Sequence, residues 1–110
     1  MRNTILFIVA AAIFLNWSTI RDQFSPPPDF SAQHQEGVVL YATDWCGYCK
    51  KTRAFFKEND IAFVEYDIEK SAEGRAQYDQ LHGSGIPLVM IKGEVIRGYD
   101  PSGMKQLLNL

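Results

Sequence analysis

The sequence predicts an α/β domain over residues 37–110, with a four-stranded mixed sheet, helices on both of its faces, and a hydrophobic helix near the N-terminus. Three observations carry that expectation. From Gly37 onward the chain alternates as strand, helix, strand, helix, two strands, helix. Val38–Ala42 is an unbroken apolar run, as a central strand covered on both faces requires. Gly93 separates Leu88–Ile91 from Glu94–Arg97, as a tight turn separates antiparallel strands.

Composition agrees with one domain and an appendage in 110 residues. A hydrophobic content of 46% with 13% aromatics suits a packed core rather than disorder. The net charge of −2 and the scattered cations leave no basic footprint for nucleic acid. There is no internal repeat.

The elements follow in order. Residues 1–20 open with Arg2, then run from Ile5 to Leu15 without a polar residue. Thr4 to Ile20 approaches the lower limit for a transmembrane helix. A basic start before an apolar stretch also suits a signal segment, but small residues are not placed for cleavage where Asn16, Trp17 and Ile20 stand. The favoured expectation is an uncleaved membrane anchor with Trp17 at the interface; a cleaved signal and a buried or interfacial helix are the alternatives. Arg2 and the terminal amine put the N-terminus in the cytoplasm by the positive-inside rule, and hence the domain on the extracytoplasmic side of the membrane (the inner membrane in a bacterium). Residues 21–36, with Pro26-Pro27-Pro28, read as a Pro-rich linker in which His34 is solvated.

Within the domain, Val38–Ala42 is the first strand, and the following helix reaches about Asn59. Ile61–Tyr66 is the second strand, parallel to the first because a helix connects them. Ser71 to His82 forms the next helix, with Gly83 past its end. After the hairpin, Asp100-Pro101 supplies an N-cap and first helical position, and Met104, Leu107 and Leu108 dock the last helix.

The chemistry-bearing stretch is Trp45-Cys46-Gly47-Tyr48-Cys49, which holds the only two cysteines. A bridge between them closes too small a loop to staple a fold, so a reactive pair is the better reading. Two buried small residues, or half of a zinc site, are the bland alternatives. At the start of a helix, free N–H groups and the helix dipole stabilise a thiolate on Cys46, and Lys50 and Lys51 add positive charge. Cys49, one turn on, can close a disulfide and release a bound partner. Cys46 is therefore the expected nucleophile, its sulfur reaching solvent, and Cys49 the more enclosed resolving thiol.

These residues resemble the glutaredoxins of the thioredoxin superfamily. Tyr41 followed by Cys-Gly-Tyr-Cys is similar to their Cys-Pro-Tyr-Cys, while Trp45-Cys46-Gly47 resembles the opening of the thioredoxin motif. The resemblance continues through Val64–Glu69, Gln77–Leu81, Gly85-Ile86-Pro87 and Gly98-Tyr99-Asp100. It implies the minimal thioredoxin fold, βαβαββα. It also implies a cis Pro87 beside the sulfurs, with the Ile86 backbone pairing an extended substrate. Trp45, Tyr48, Ile86, Pro87, Gly98, Tyr99 and Asp100 become the expected substrate-binding residues, with no metal ligand among them.

The pattern departs from the family at several points. Thr43 replaces a lysine that often contacts glutathione, and Arg97 and Tyr99 alter the segment before the last helix. Gly98-Tyr99 resembles redoxins served by thioredoxin reductase. Leu40 occupies the position of the buried thioredoxin aspartate. The implied function is a monomeric dithiol thiol–disulfide oxidoreductase that acts on protein or glutathione mixed disulfides. It needs no resident cofactor; glutathione is a candidate co-substrate, and a dithiol protein a candidate donor. The alternative is a dimer sharing an iron–sulfur cluster through Cys46 and bound glutathione, since one chain lacks four cysteine ligands.

Overall fold

The computed structural model describes residues 2–16 and 28–110. Its elements are α1 (Arg2–Leu15), a 3-10 turn (Ser31–Gln33), β1 (Val38–Ala42), α2 (Gly47–Glu58), β2 (Val64–Asp67), α3 (Ala72–Gln80), β3 (Leu88–Ile91), β4 (Glu94–Arg97) and α4 (Pro101–Leu108). The four strands lie in the order β2-β1-β3-β4. β2 runs parallel to β1, pairing Val39 with Val64, whereas β3 is antiparallel to both β1 and β4.

The period-2 alternation of β1 divides the core. Val38, Leu40 and Ala42 face Cys46, Cys49, Phe55 and Phe56 of the α2 segment and Met104 of α4. Val39 and Tyr41 face the other way, toward Tyr78 and Leu81 at α3. Every β1 residue is buried, which is why its sequence shows no polar positions. The α3 helix approaches the sheet closely at Gly74, where a Cβ would stand 2.5 Å from that of Tyr66.

Two expectations need correction. The second strand begins at Val64, not Ile61. The Ile61 N–H turns back to the Phe56 carbonyl at 2.8 Å and closes the end of α2, so it is not available to a ladder. The linker expected over 21–36 is, from Pro28 onward, largely part of the domain. Phe30 is 8% exposed and packs among Val39, Tyr41 and Met90. The Ser31 N–H donates to Met90 Sδ at 3.3 Å, and Ser31 Oγ accepts from the Gly93 N–H at 2.8 Å. His34, expected in solvent, shares a 3.1 Å hydrogen bond with the Tyr66 hydroxyl.

The membrane anchor expected over residues 1–20 lies only partly within the described residues. Among the described residues no helix is long and apolar enough to cross a membrane. The 14 residues of α1 reach about 21 Å at 1.5 Å per residue, against a hydrocarbon thickness of about 30 Å. Trp17, the rest of that stretch, and Pro26-Pro27 lie outside the described residues.

Candidate active site

β1 ends against the first turn of α2, and the two cysteines sit at that junction. Cys46 is the N-cap of α2, and its sulfur accepts the Cys49 N–H at 3.2 Å. A side-chain oxygen of Ser, Thr, Asp or Asn ordinarily takes this role. Here the sulfur takes it, and is thereby held over unpaired helix amides. Cys46 is only 7% exposed rather than open to solvent. Both thiols are free.

Cys49 is completely buried, among Leu40, Ala42, Phe56, Val89 and Met104. Burial, helped by its hydrogen bond with Cys46, pushes its thiol up to about 12. The Thr43 backbone and the Arg53 charge pull weakly in the opposite direction. The two sulfurs therefore occupy different environments one turn apart.

Beside them, Tyr48, Ile86, Pro87, Gly98 and Tyr99 line a cleft of about 290 Å³. The Ile86–Pro87 bond is cis. Pro87 precedes β3, and its carbonyl accepts the Gly98 N–H at 2.9 Å, joining the two lips of the cleft. Gly98 adopts φ +82°, which a side chain rarely tolerates. Tyr48 and Tyr99 stack with centroids 6.4 Å apart and form one aromatic wall. The Lys51 ammonium lies over the Tyr48 ring at 5.2 Å.

Five of the seven expected substrate-binding residues thus meet in one cleft. The other two do not line it. The Asp100 carboxylate caps α4 by accepting the Gly103 N–H at 3.0 Å. Trp45 is 72% exposed, and its indole N–H donates to Glu69 Oε1. Arg97 points away: its guanidinium donates to the Leu81 carbonyl at 2.9 Å and the His82 carbonyl at 3.2 Å. Thr43 is 1% exposed, with its hydroxyl lacking a protein partner.

Arg53 is a residue of the site that no motif marks. Its Nε and Nη2 donate to the two Glu65 carboxylate oxygens at 2.6 and 2.9 Å, and Nη2 also reaches the Thr43 carbonyl at 3.0 Å. The available signal was its place four residues after Cys49, on the same helix face. Among the described residues no cluster of side chains suits a metal ion.

Fold and site together define a redoxin, a thioredoxin-type domain with paired thiols at a helix N-terminus. Residues 38–96 match the glutaredoxin family. A glutaredoxin-like 8.6 kDa protein of Clostridium pasteurianum is 29% identical over 72 residues, covering 64% of this chain and 96% of that protein. Glutaredoxin-1 of Rhizophagus irregularis is 31% identical over 67 residues, covering 57% of this chain and 66% of that protein. Among solved structures, the thioredoxin-like protein BC3987 superposes with a TM-score of 0.60 at 31% identity, over 64% of this chain and 97% of that one. The glutaredoxin of Archaeoglobus fulgidus shares the fold, with a TM-score of 0.61 at 24% identity over 78% of this chain and 100% of that one. The chain belongs to the glutaredoxin family.

Proposed function

We propose that the protein is a dithiol thiol–disulfide oxidoreductase in which Cys46 attacks and Cys49 resolves. The observation that carries this reading is the asymmetry of the pair. Cys46 caps the helix in a cluster against which Ile86 and Tyr99 of the cleft pack, while Cys49 is sealed one turn behind it. Cys46 thiolate attacks a substrate disulfide, forming a mixed disulfide and expelling one substrate thiolate. Cys49 then attacks Cys46, forming the intramolecular disulfide and expelling the second. An extended substrate lies along the Ile86 backbone, between Pro87 and the Tyr48–Tyr99 wall.

A dithiol protein is the favoured reductant. Thr43 offers no charge, Arg97 is committed to the end of α3, and Asp100 to the start of α4. Losing one charged contact to a carboxylate weakens binding by roughly ten- to a hundredfold. Glutathione should therefore reduce the oxidised protein slowly.

The test compares Cys46→Ser and Cys49→Ser on a protein disulfide and on a glutathionylated peptide. Cys46→Ser loses both activities; Cys49→Ser accumulates mixed disulfides with the protein and retains turnover of the peptide. Activity surviving in Cys46→Ser would sink the assignment. An anaerobic visible spectrum decides the cluster alternative, since a cluster-bound dimer is coloured.

For localisation, we read the N-terminal segment as holding the domain at a membrane, on the extracytoplasmic side. Support comes from α1, whose apolar side chains from Ile5 to Leu15 are all exposed. Detergent-dependent extraction of the full chain from a membrane fraction is the expected result. Recovery of the uncleaved chain in the soluble fraction would count against it.

A further inference from the structure

Cys49 must lose its proton before it can attack, yet it is buried, and among the described residues no carboxylate is buried with it. The thioredoxin-type acid position is Leu40, and the buried polar side chains nearest in sequence are the hydroxyls of Thr43 and Thr52. Charge reaches Cys49 from Arg53, one turn further along the same face of α2. That guanidinium is held by both carboxylate oxygens of Glu65 on β2, a fork-to-fork geometry that fixes its plane. Its Nη2 also grips the Thr43 carbonyl, at the end of β1. The Thr43 backbone lowers the Cys49 pKa, opposing the effect of burial. Residue 43 is thus held from outside by Arg53. Asp44 and Glu65 face Arg53 and temper its charge.

We propose that Arg53 is a positioning residue for the resolving step, its Glu65-clamped guanidinium fixing the end of β1 at Thr43 and lending positive charge to the face of α2 that carries Cys49. This rests on the dithiol reading above. In the step concerned, Cys49 gives up its proton and attacks Cys46 Sγ. The Cys46–substrate S–S bond breaks as the Cys46–Cys49 bond forms, and the departing substrate thiolate takes up a proton. Two electrons pass from the dithiol to the substrate. Arg53 undergoes no chemistry itself.

Mixing the reduced full-length protein with dithiobis-nitrobenzoate separates the two steps. One coloured thiolate leaves when Cys46 attacks, and a second when Cys49 displaces the first adduct. In Arg53→Met the second release should slow about three- to tenfold at neutral pH, with its pH midpoint moved up. The first release should stay within about twofold. Arg53→Lys should keep the midpoint near that of wild type, since the charge remains. Glu65→Gln should move the midpoint down, because the guanidinium is no longer neutralised, and this variant decides the matter if Arg53→Met fails to fold. Equal slowing of both releases in Arg53→Met, or an unmoved midpoint in either Arg53→Met or Glu65→Gln, overturns the proposal. A wild-type protein that releases only one thiolate would instead refute the dithiol reading.

Discussion

Replacing Phe30 by alanine should destabilise a domain whose sequence places that residue in a linker. The ring is 8% exposed and contacts a core cluster that includes Val39, Tyr41, Leu88 and Met90. Truncating a buried phenylalanine costs about 3–5 kcal/mol, and a ring that keeps some exposure belongs near the lower figure. Against a total stability of roughly 5–15 kcal/mol, a loss of about 3 kcal/mol is a large fraction. For a domain of this size it corresponds to a fall in Tm of about 12–24 °C. The assay is thermal or urea unfolding of the full reduced chain, with Gln35→Ala as an exposed control. The control should melt with the wild type. A Phe30→Ala protein melting within about 3 °C of wild type would refute the packing argument and restore the segment to a spacer.

Three further outcomes follow from the same geometry. Gly83→Ala should destabilise by about 1–3 kcal/mol, because its Cβ would stand 2.3–2.5 Å from the Tyr78 ring, whose hydroxyl donates to the Gly85 carbonyl; a melt that does not change would show that the ring moves freely. Burial raises the Cys49 thiol from 9.0 to about 12, so the folded reduced state binds this proton more tightly than the unfolded chain. Its contribution is complete below about pH 9 and is lost as pH rises toward about 12. Unfolding of the reduced protein across that window should therefore show a steeper loss of stability than Cys49→Ser shows, and parallel curves would count against it. Arg97→Ala should lower stability by about 1 kcal/mol through the two lost carbonyl contacts while leaving reduction by glutathione within about twofold. Collapse of that rate would mean the guanidinium leaves the helix end to bind glutathione.

Much of the domain was legible because its elements satisfy local and global demands together. The unbroken Val38–Ala42 run, the Gly93 turn and the Asp100-Pro101 cap each allow one placement, and each stands where expected. The Ile61 boundary was not legible, because an apolar residue can pack against the core without joining a ladder. Phe30 and Ser31 were hidden by their polar and proline-rich neighbours, since their partners lie about sixty residues away on β3 and its turn. At the site, the cleft could be read from Tyr48, Ile86, Pro87, Gly98 and Tyr99. The burial of Cys46, the Arg53 clamp and the commitment of Arg97 to α3 depend on side-chain rotamers and distant carbonyls. No spacing rule encodes those.

The Ser31 attachment determines which part of the domain feels its loss first. It fastens to Met90 and Gly93, at the end of β3 remote from Leu88 and the neighbouring Pro87. The four residues of β3, about 13 Å of chain, lie between the Gly93 contact and the cleft. A substitution that loosens Ser31 should therefore disturb the β3–β4 turn before it disturbs the cleft.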